Sequence, residues 1–247
     1  MSFVVPVCLR FLAKSQRWRA VACWSLLVVS AAALVPATAI AGPWEFIGTE
    51  QGVRIETREV AGQDLPEFRG TTTINADLYE LAAILDDLGK FCDWNKRCIV
   101  TKELTRDDEF HRVFYTHTAA PWPVSDRDAV LKGEVTGMDQ GKDVMVKFWS
   151  IRDARWPPKK AAVRMPKVKG HWRMWRLGPN QTKVEYQVLA DPGGLVPGWA
   201  AKRTARDVPR DTLSGLRKHV VKVRGKYDAY IQRWRKIAES NQAPAVP

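Results

Sequence analysis

The chain has 247 residues and a formal net charge of +12 at pH 7, and aromatic residues make up 10% of it. This length accommodates one domain of about 200 residues with extra segments, and the absence of a repeat of about 20–50 residues excludes a solenoid. The charge favours a partner such as anionic lipid, nucleic acid or a cell-wall polymer, but it does not choose among the three.

Residues 1–41 have the pattern of a secretory signal peptide. A basic stretch with Lys14, Arg17 and Arg19 precedes an uncharged apolar run over residues 20–34, and small residues at 37–41 supply cleavage patterns. Cleavage predicts a periplasmic or secreted protein and, because Arg10 leaves with these three residues, lowers the net charge from +12 to +8. The alternative is an uncleaved membrane anchor, because residues 20–40 are about long enough to span a bilayer.

Cys92 and Cys98 are the two cysteines that lie outside this leader. In an oxidising compartment we expect them to form a short-loop disulfide. A metal pair is the alternative, although no histidine or second cysteine pair lies near them in the sequence. None of the four histidines lies at a metal-ligand spacing such as HExxH. The sequence therefore predicts neither a metal site nor another cofactor.

The residues after the leader predict a hairpin followed by a helix. Residues 53–58 and 68–74 alternate between apolar and polar side chains, which is typical of half-buried strands. From Leu78 to Leu88 the apolar residues recur at helical spacing, with Asn75 as a candidate N-cap and Gly89 as the stop.

A run of strands follows this helix. We predict strands over residues 98–104, 110–118, 127–135, 143–151, 170–177 and 182–190. A rigid polar turn is predicted at residues 121–128, and a basic, proline-rich loop at residues 155–169. Because mostly short turns join the strands, the sheet is expected to be antiparallel. A short helix over residues 196–206 follows, and Pro209 is expected to interrupt it.

The last element is a long amphipathic helix over residues 213–237. Its apolar residues recur at alternating steps of three and four, which places one stripe along one side of the helix; they are Leu213, Leu216, Val220, Val223, Tyr227, Tyr230, Trp234 and Ile237. Such a stripe must pack on another apolar surface. We expect the sheet to supply that surface, and a coiled-coil partner is the alternative. Gly225 is expected to divide the helix, and residues 241–247 to form a disordered tail.

Four segments resemble the START (StAR-related lipid transfer) family in their order and spacing. The most specific segment is Pro-Trp-Pro-Val-Ser-Asp-Arg-Asp at residues 121–128; the others are residues 91–98, the pair 170–172 and 182–186, and residues 191–199. On this resemblance the chain is identified as an exported bacterial member, with a START-like lipid-binding domain over residues 42–240. The resemblance implies an α+β helix-grip fold, in which a curved antiparallel sheet wraps around a long C-terminal helix and leaves a lipid-sized tunnel.

Alternation along the strands, combined with the resemblance, selects the side chains that are expected to face the helix or the tunnel. The predicted ligand-binding residues are Trp94, Val113, Tyr115, Arg127, Leu131, Val146, Phe148, Trp172, Met174, Tyr186, Leu195, Trp199 and Leu216. For the two tyrosines and for Trp172 and Met174, a plain core position is the alternative.

Three positions in this region carry specific expectations. Arg127 either binds a polar head group with its planar fork of donors or braces its own turn. Leu195 and Trp199 either form a gate that touches lipid or pack the helix on the sheet. Some sterol-binding relatives place a basic residue inside the cavity near the position of Gly133. The glycine here is expected to leave that spot open, so a sterol is neither favoured nor excluded.

These features predict a protein that binds and shields, or transfers, a lipid or another hydrophobic small molecule without catalysis. The sequence contains no nucleophile elbow, phosphate-binding glycine loop or Cys/His pair. The expected partners are that molecule and, briefly, an anionic membrane surface, with no nucleic acid and a monomeric chain. The alternatives are a cyclase- or hydrolase-type enzyme on the same scaffold and a cell-envelope interaction module whose helix docks on another protein.

Overall fold

The computed structural model describes residues 41–63, 65–136 and 141–239. All but the last residue of the predicted signal peptide, and the predicted tail, lie outside the described residues, so both stay predictions. Within the described ranges, no helix combines the length and the apolar character that crossing a membrane requires.

The described residues form a large curved antiparallel sheet. Its strands are β1 (Glu45–Glu50), β2 (Val53–Arg58), β3 (Glu67–Ile74), β4 (Cys98–Arg106), β5 (His111–Thr118), β6 (Arg127–Thr136), β7 (Asp143–Ser150), β8 (Val163–Arg164), β9 (Lys167–Gly178) and β10 (Gln181–Asp191). The strands lie in the order β1-β2-β3-β10-β9-β7-β6-β5-β4, and the two-residue β8 pairs in parallel with β6. The predicted fold class, a sheet with a long C-terminal helix, is confirmed.

The helices of the described residues are α1 (Leu78–Asp86), α2 (Phe91–Trp94), α3 (Gly198–Val223) and α4 (Asp228–Glu239), with one 3-10 turn at Leu88–Lys90. The N-cap of α1 is Asp77, two residues after the predicted N-cap Asn75. The carboxylate of Asp77 accepts a hydrogen bond of 2.8 Å from the backbone N–H of Tyr79 and receives guanidinium groups from Arg176 and Arg235.

Strands β1, β8 and β9 differ from the prediction. The two-residue β8 lies inside the predicted loop over residues 155–169. Strand β1 was not predicted, because it is an edge strand whose side chains are mostly exposed and show no clean alternation. Strand β9 begins at Lys167, inside the predicted loop over residues 155–169. There Val168 is buried while Lys167 and Lys169 are exposed. This period-2 pattern extends the strand backwards to pair with Asp191 of β10.

The prediction that Pro209 ends a helix is wrong, because α3 runs continuously through it. A proline inside a helix removes one backbone hydrogen bond, but Pro209 is buried against β3 at Gly70. A Cβ atom on Gly70 would lie 2.7 Å from the Cβ of Pro209 and 2.9 Å from Leu213 Cδ1, so the helix approaches the sheet where the side chain is missing. Packing therefore outweighs the lost bond.

The part of the apolar stripe on α3 packs on the sheet as predicted, whereas the part on α4 packs mainly on α1. The stripe residues of α3 are buried in the main core; they are Leu213, Leu216, Val220 and Val223. Gly225, with φ of +80°, separates α3 from α4, which confirms the predicted division. The second part of the stripe continues on α4, where Trp234 is buried beside Phe110 with ring centroids 5.8 Å apart.

The predicted disulfide between Cys92 and Cys98 is present, with a sequence separation of 6. It joins α2 to the first residue of β4. We expect a Cys92→Ser/Cys98→Ser double variant to lose about 2 kcal/mol of unfolding free energy, because the bond restricts a short loop of the unfolded chain. Urea unfolding of the oxidised protein and of the variant measures this difference. Equal midpoints and equal slopes would contradict it.

Candidate functional site: an internal cavity

A cavity of about 280 Å³ lies between the sheet and the N-terminal half of α3. Inward side chains of β5 run along it from Arg112 to Thr118, a distance of about 20 Å at 3.3 Å per residue. Near Arg112 the cavity is bounded by Asp86 of α1 and Trp234 of α4. The opposite end is bounded by the β5–β6 turn and the β10–α3 loop; the lining residues there are Pro121, Val124, Pro192 and Val196.

The sheet wall of the cavity is mainly apolar and aromatic. Tyr186 lies at the centre of an aromatic group, with its ring centroid 4.4 Å from that of Trp172 and 6.3 Å from that of Phe148. Burial raises the pKa of the Tyr186 hydroxyl, and this hydroxyl makes no hydrogen bond to a described residue. It is therefore a free donor on an otherwise apolar surface.

Six of the predicted ligand-binding residues line this cavity: Arg127, Leu131, Val146, Phe148, Trp172 and Tyr186. All six lie on the neighbouring strands β6, β7, β9 and β10, and for the five other than Arg127 the alternation assigned the inward face correctly. Their role toward a ligand stays a prediction.

The prediction that Val113 and Tyr115 face the cavity is wrong. In β5 the inward residues are Arg112, Phe114, Thr116 and Thr118. Phe114 pairs with Leu131 of β6, so the two share the inner face, and Val113 pairs with Lys132 on the outer face. The Tyr115 hydroxyl donates a hydrogen bond of 3.1 Å to Asp128.

The apolar alternation in β5 misled because the outer face of this strand is also covered. The ring of Trp156, from the segment between β7 and β8, stacks on Tyr115 with centroids 6.5 Å apart. Arg164 of β8 binds the buried carboxylate of Asp128 at 2.7 Å. Val113 and Tyr115 belong to this second, smaller core, with Val130.

Three further predicted residues, Trp94, Met174 and Leu216, are not on the cavity wall. All three are buried in the main core, where Trp94 lies behind Trp172 with ring centroids 6.3 Å apart. Met174 on β9 and Leu216 on α3 share a face with lining residues, but the cavity does not extend along the full length of either element. Met174 is therefore a core residue, which was the alternative to a ligand-binding role.

Leu195 and Trp199 lie on the outside of the cavity end that the β10–α3 loop bounds. Leu195 is 98% exposed and Trp199 is 48% exposed, and Trp122 in the neighbouring β5–β6 turn is 90% exposed. Leu195 shares a small surface pocket with Pro123 and Val124. We call Trp122, Leu195 and Trp199 the apolar rim.

Arg127 braces the two segments that carry this rim. Its Nε donates to the carbonyl of Pro192 at 3.0 Å and its Nη2 to that of Gly193 at 3.1 Å, while Nη1 donates to the carbonyl of Ser125. Burial lowers the pKa of the guanidinium. Because three of its donors serve backbone carbonyls, the bracing role is the one that its geometry supports.

The position opposite Gly133 is not open, contrary to the expectation from sequence. A Cβ atom on Gly133 would lie 3.3 Å from the Phe114 ring and 3.4 Å from the stem of Arg112. The buried guanidinium of Arg112 binds the carboxylate and the backbone carbonyl of Asp86, so an ion pair stands at this end of the cavity. The basic group at this end of the cavity is therefore Arg112 of β5 and not a residue of β6.

The sequence reasoning also missed a polar stretch of the wall near the rim. It consists of Asn95, Arg97, Thr101, Thr118, Thr204 and Thr212, which come from four separate segments. No single segment shows a pattern that would have marked these residues. Only the pairing register of β4, β5 and β6, extended from the unambiguous apolar face of β6, could have revealed those on strands.

The family model for the START domain matches residues 47–224 of the chain. This chain belongs to the START domain family. The match spans β2 to α3 and stops before α4, so the helix that closes the Arg112 end of the cavity lies outside the matched part of this START domain. The predicted boundaries at residues 42 and 240 stay a prediction.

Relatives and solved structures agree with this assignment. An uncharacterized protein of Pseudomonas aeruginosa is 32% identical over 193 residues, which are 77% of this chain and 94% of the relative. The crystal structure of the STAR-related lipid transfer protein from Xanthomonas axonopodis is 30% identical, with a TM-score of 0.66 over 73% of this chain and 99% of the other.

More distant START domains share the fold. Human STARD10 superimposes with a TM-score of 0.67 at 19% identity, covering 82% of this chain and 83% of the other. START domain-containing protein 10 of Mus musculus is 21% identical over 61% of this chain, and the chain spans about half the length of that relative.

Proposed function

We propose that this START domain binds one hydrophobic small molecule, a lipid above all, in its internal cavity and carries it between membranes. The observation that carries the proposal is the enclosed space between the sheet and α3, whose sheet wall is built from Leu131, Val146, Phe148, Trp172 and Tyr186. The driving force is removal of the guest's apolar surface from water, about 25 cal/mol per Å².

The ionisable groups at the cavity favour a carrier over an enzyme. Among the described lining residues there is no histidine, cysteine, serine or lysine, and the one carboxylate, Asp86, is bound by both Arg112 and Arg106. A hydrolase or cyclase needs a free general base or nucleophile near the substrate. The threonine and tyrosine hydroxyls of the described lining have no histidine, lysine or free carboxylate among the other lining residues to activate them, so we propose a function without catalysis.

Binding itself is the primary test. Delipidated protein is titrated with fluorescent fatty acid, phospholipid and sterol probes, and native mass spectrometry of protein purified from its own host identifies a co-purifying mass. A saturable complex with one guest per chain supports the proposal. An absence of binding in every lipid class, combined with a stable complex with another protein, supports an envelope interaction module instead.

We further propose that the apolar rim contacts the membrane during transfer. The rim side chains lie at the cavity end that the two loops bound, and Lys202 and Arg203 are exposed on the next turn of α3. Aromatic side chains favour the membrane–water interface, and each basic residue near an anionic surface adds about 1 kcal/mol.

We expect a Trp122→Ala/Leu195→Ser double variant to transfer a fluorescent lipid between vesicles of phosphatidylcholine and phosphatidylglycerol about tenfold more slowly, since two inserting side chains are lost. Its equilibrium affinity for the lipid should not change, because neither side chain lines the cavity. Phe46→Ala serves as control: it is also exposed and aromatic, on edge strand β1. An equal loss of transfer in the control would count against the rim.

We propose a periplasmic or secreted location for the protein, membrane-anchored if the leader is retained. The disulfide between Cys92 and Cys98 supports an oxidising compartment. N-terminal sequencing of the protein from a periplasmic extract tests both cleavage and location.

A further inference from the structure

We propose that the ligand of this cavity carries one acidic group, a carboxylate or a phosphate, and that Arg97 binds it. This assignment rests on the proposed lipid-binding function and names the ligand class that the cavity selects. The apolar part of the ligand lies along the wall of β6, β7, β9 and β10, and the acidic group lies near the apolar rim.

Arg97 is a cavity-lining cation whose own hydrogen bonds are incomplete. Its side chain is 16% exposed, and its Nε is buried without a hydrogen bond to any described residue. Its ion pairs are long: Nη2 lies 3.6 Å from Asp207 Oδ2, and Nε lies 3.9 Å from Asp211 Oδ2. Burial of this guanidinium lowers its pKa, but an arginine stays charged at neutral pH.

The two aspartates are satisfied by other arginines. Asp207 accepts hydrogen bonds from Arg203 at 3.2 Å and from Arg206 at 3.3 Å, and Asp211 accepts one from Arg210 at 2.9 Å. Arg97 therefore has the longest, and so the weakest, ion pairs with these two aspartates.

The charge of this network is unbalanced. The ion pairs link the four guanidinium groups of residues 97, 203, 206 and 210 to only three carboxylates, those of Glu50, Asp207 and Asp211. Arg97 is the member of the network that lines the cavity. A single anionic group bound there brings the network to neutrality, whereas a buried cation without full pairing is costly.

Two threonines that line the cavity belong to segments that contact the segment or the ion-pair partners of Arg97. Thr204 lies one helical turn before Val208 and two turns before Asp211 along α3, and it lines the cavity. Thr118 lies next to the β4 start, because Ala119 N–H donates to the carbonyl of Arg97 at 2.8 Å. A guanidinium fork with two hydroxyl donors matches a carboxylate or a phosphate.

The test compares three single-chain ligands with the same oleoyl chain: oleate, lysophosphatidate and the uncharged oleyl alcohol. We expect at least one of the two anions to bind the wild-type protein about tenfold more tightly than the alcohol, and we expect Arg97→Gln to remove that preference without changing the alcohol's affinity. Arg97→Lys should retain part of it. The anion whose affinity falls more in Arg97→Gln identifies the head group as a carboxylate or a phosphate.

Lys218→Gln is the matched control, because it removes one positive charge from the exposed face of α3 at a residue that neither belongs to this network nor lines the cavity. Its affinities should stay at wild-type values. Equal binding of the alcohol and both anions by the wild-type protein, or equal losses in Arg97→Gln and Lys218→Gln, overturns the assignment while leaving the carrier function standing. An absence of binding by all three ligands overturns the carrier function as well.

A second measurement on the wild-type protein does not depend on a variant. The carboxyl carbon of ¹³C-labelled oleate reports its titration in the complex by NMR. Pairing with Arg97 lowers the pKa of the bound carboxyl below that of a free carboxyl in water, whereas an unpaired carboxyl in an apolar cavity has a raised pKa. A raised pKa therefore overturns the assignment.

Discussion

A Val146→Trp substitution is expected to abolish most ligand binding without unfolding the protein. Val146 of β7 is half-buried and lines the cavity beside Val135 and Phe148. An indole in this place occupies space that the ligand's chain needs. Displacing about four methylene groups removes roughly 3 kcal/mol of apolar burial, which corresponds to about a hundredfold increase in Kd. Titration of delipidated variant and wild type with a fluorescent fatty acid measures the difference.

The matched control for this substitution is Lys147→Trp, on the same strand but on the opposite face of the sheet. Lys147 pairs with Glu134 and His171 and does not line the cavity. The Lys147→Trp variant should bind the fatty acid with wild-type affinity, because its indole lies on the face of the sheet opposite the cavity. If Val146→Trp binds as tightly as this control, the ligand does not occupy the space between β7 and α3, and the proposed function loses its site.

A Leu216→Ala substitution is expected to lower the unfolding free energy by about 2–5 kcal/mol, the range for removing a fully buried leucine side chain. Leu216 is 0% exposed and lies in the stripe of α3 that packs on the sheet, away from the cavity wall. The loss combines the apolar surface that returns to water with a cavity that the core cannot fully close. Urea unfolding followed by tryptophan fluorescence measures it.

Leu177→Ala is the control with the same chemical change. Leu177 lies on β9 and is 54% exposed, so its loss should change the unfolding free energy by less than about 0.5 kcal/mol. The contrast separates packing of α3 from side-chain chemistry. A Leu216→Ala variant as stable as this control would show that the stripe does not bind α3 to the sheet, and the helix-grip arrangement would lose its main energetic support.

Local patterns in the sequence were sufficient for most elements. Strands β6, β7 and β10 carry an apolar face with a period of two, and Leu213, Leu216 and Val220 repeat at helical spacing, so both kinds of element follow from side-chain direction alone. The break at Gly225 is also local, because φ of +80° is a conformation that suits glycine. Where both faces of a strand are covered, as in β5, the same reasoning chose the wrong face.

The polar part of the candidate site was not accessible to that reasoning. Arg97, Thr118 and Thr204 are separated by many residues, and each looks like an ordinary surface residue in its own segment. The disulfide segment, the end of β5 and the second turn of α3 meet only in the folded chain. The incomplete hydrogen bonding of Arg97 depends on which arginines take the short contacts to Asp207 and Asp211, and spacing along the chain does not contain this information.

The sequence by itself determined that this protein has alternating strands and a striped C-terminal helix, because side-chain direction repeats with the period of each element whatever lies opposite. Its motif at residues 121–128 also pointed to the START family before any geometry was known. Only the tertiary structure decided which side of β5 faces inward, that α3 passes through Pro209, and that a loosely paired arginine meets an apolar wall. These depend on strand register and on close approach between distant segments, and neither is encoded in the period of any one segment.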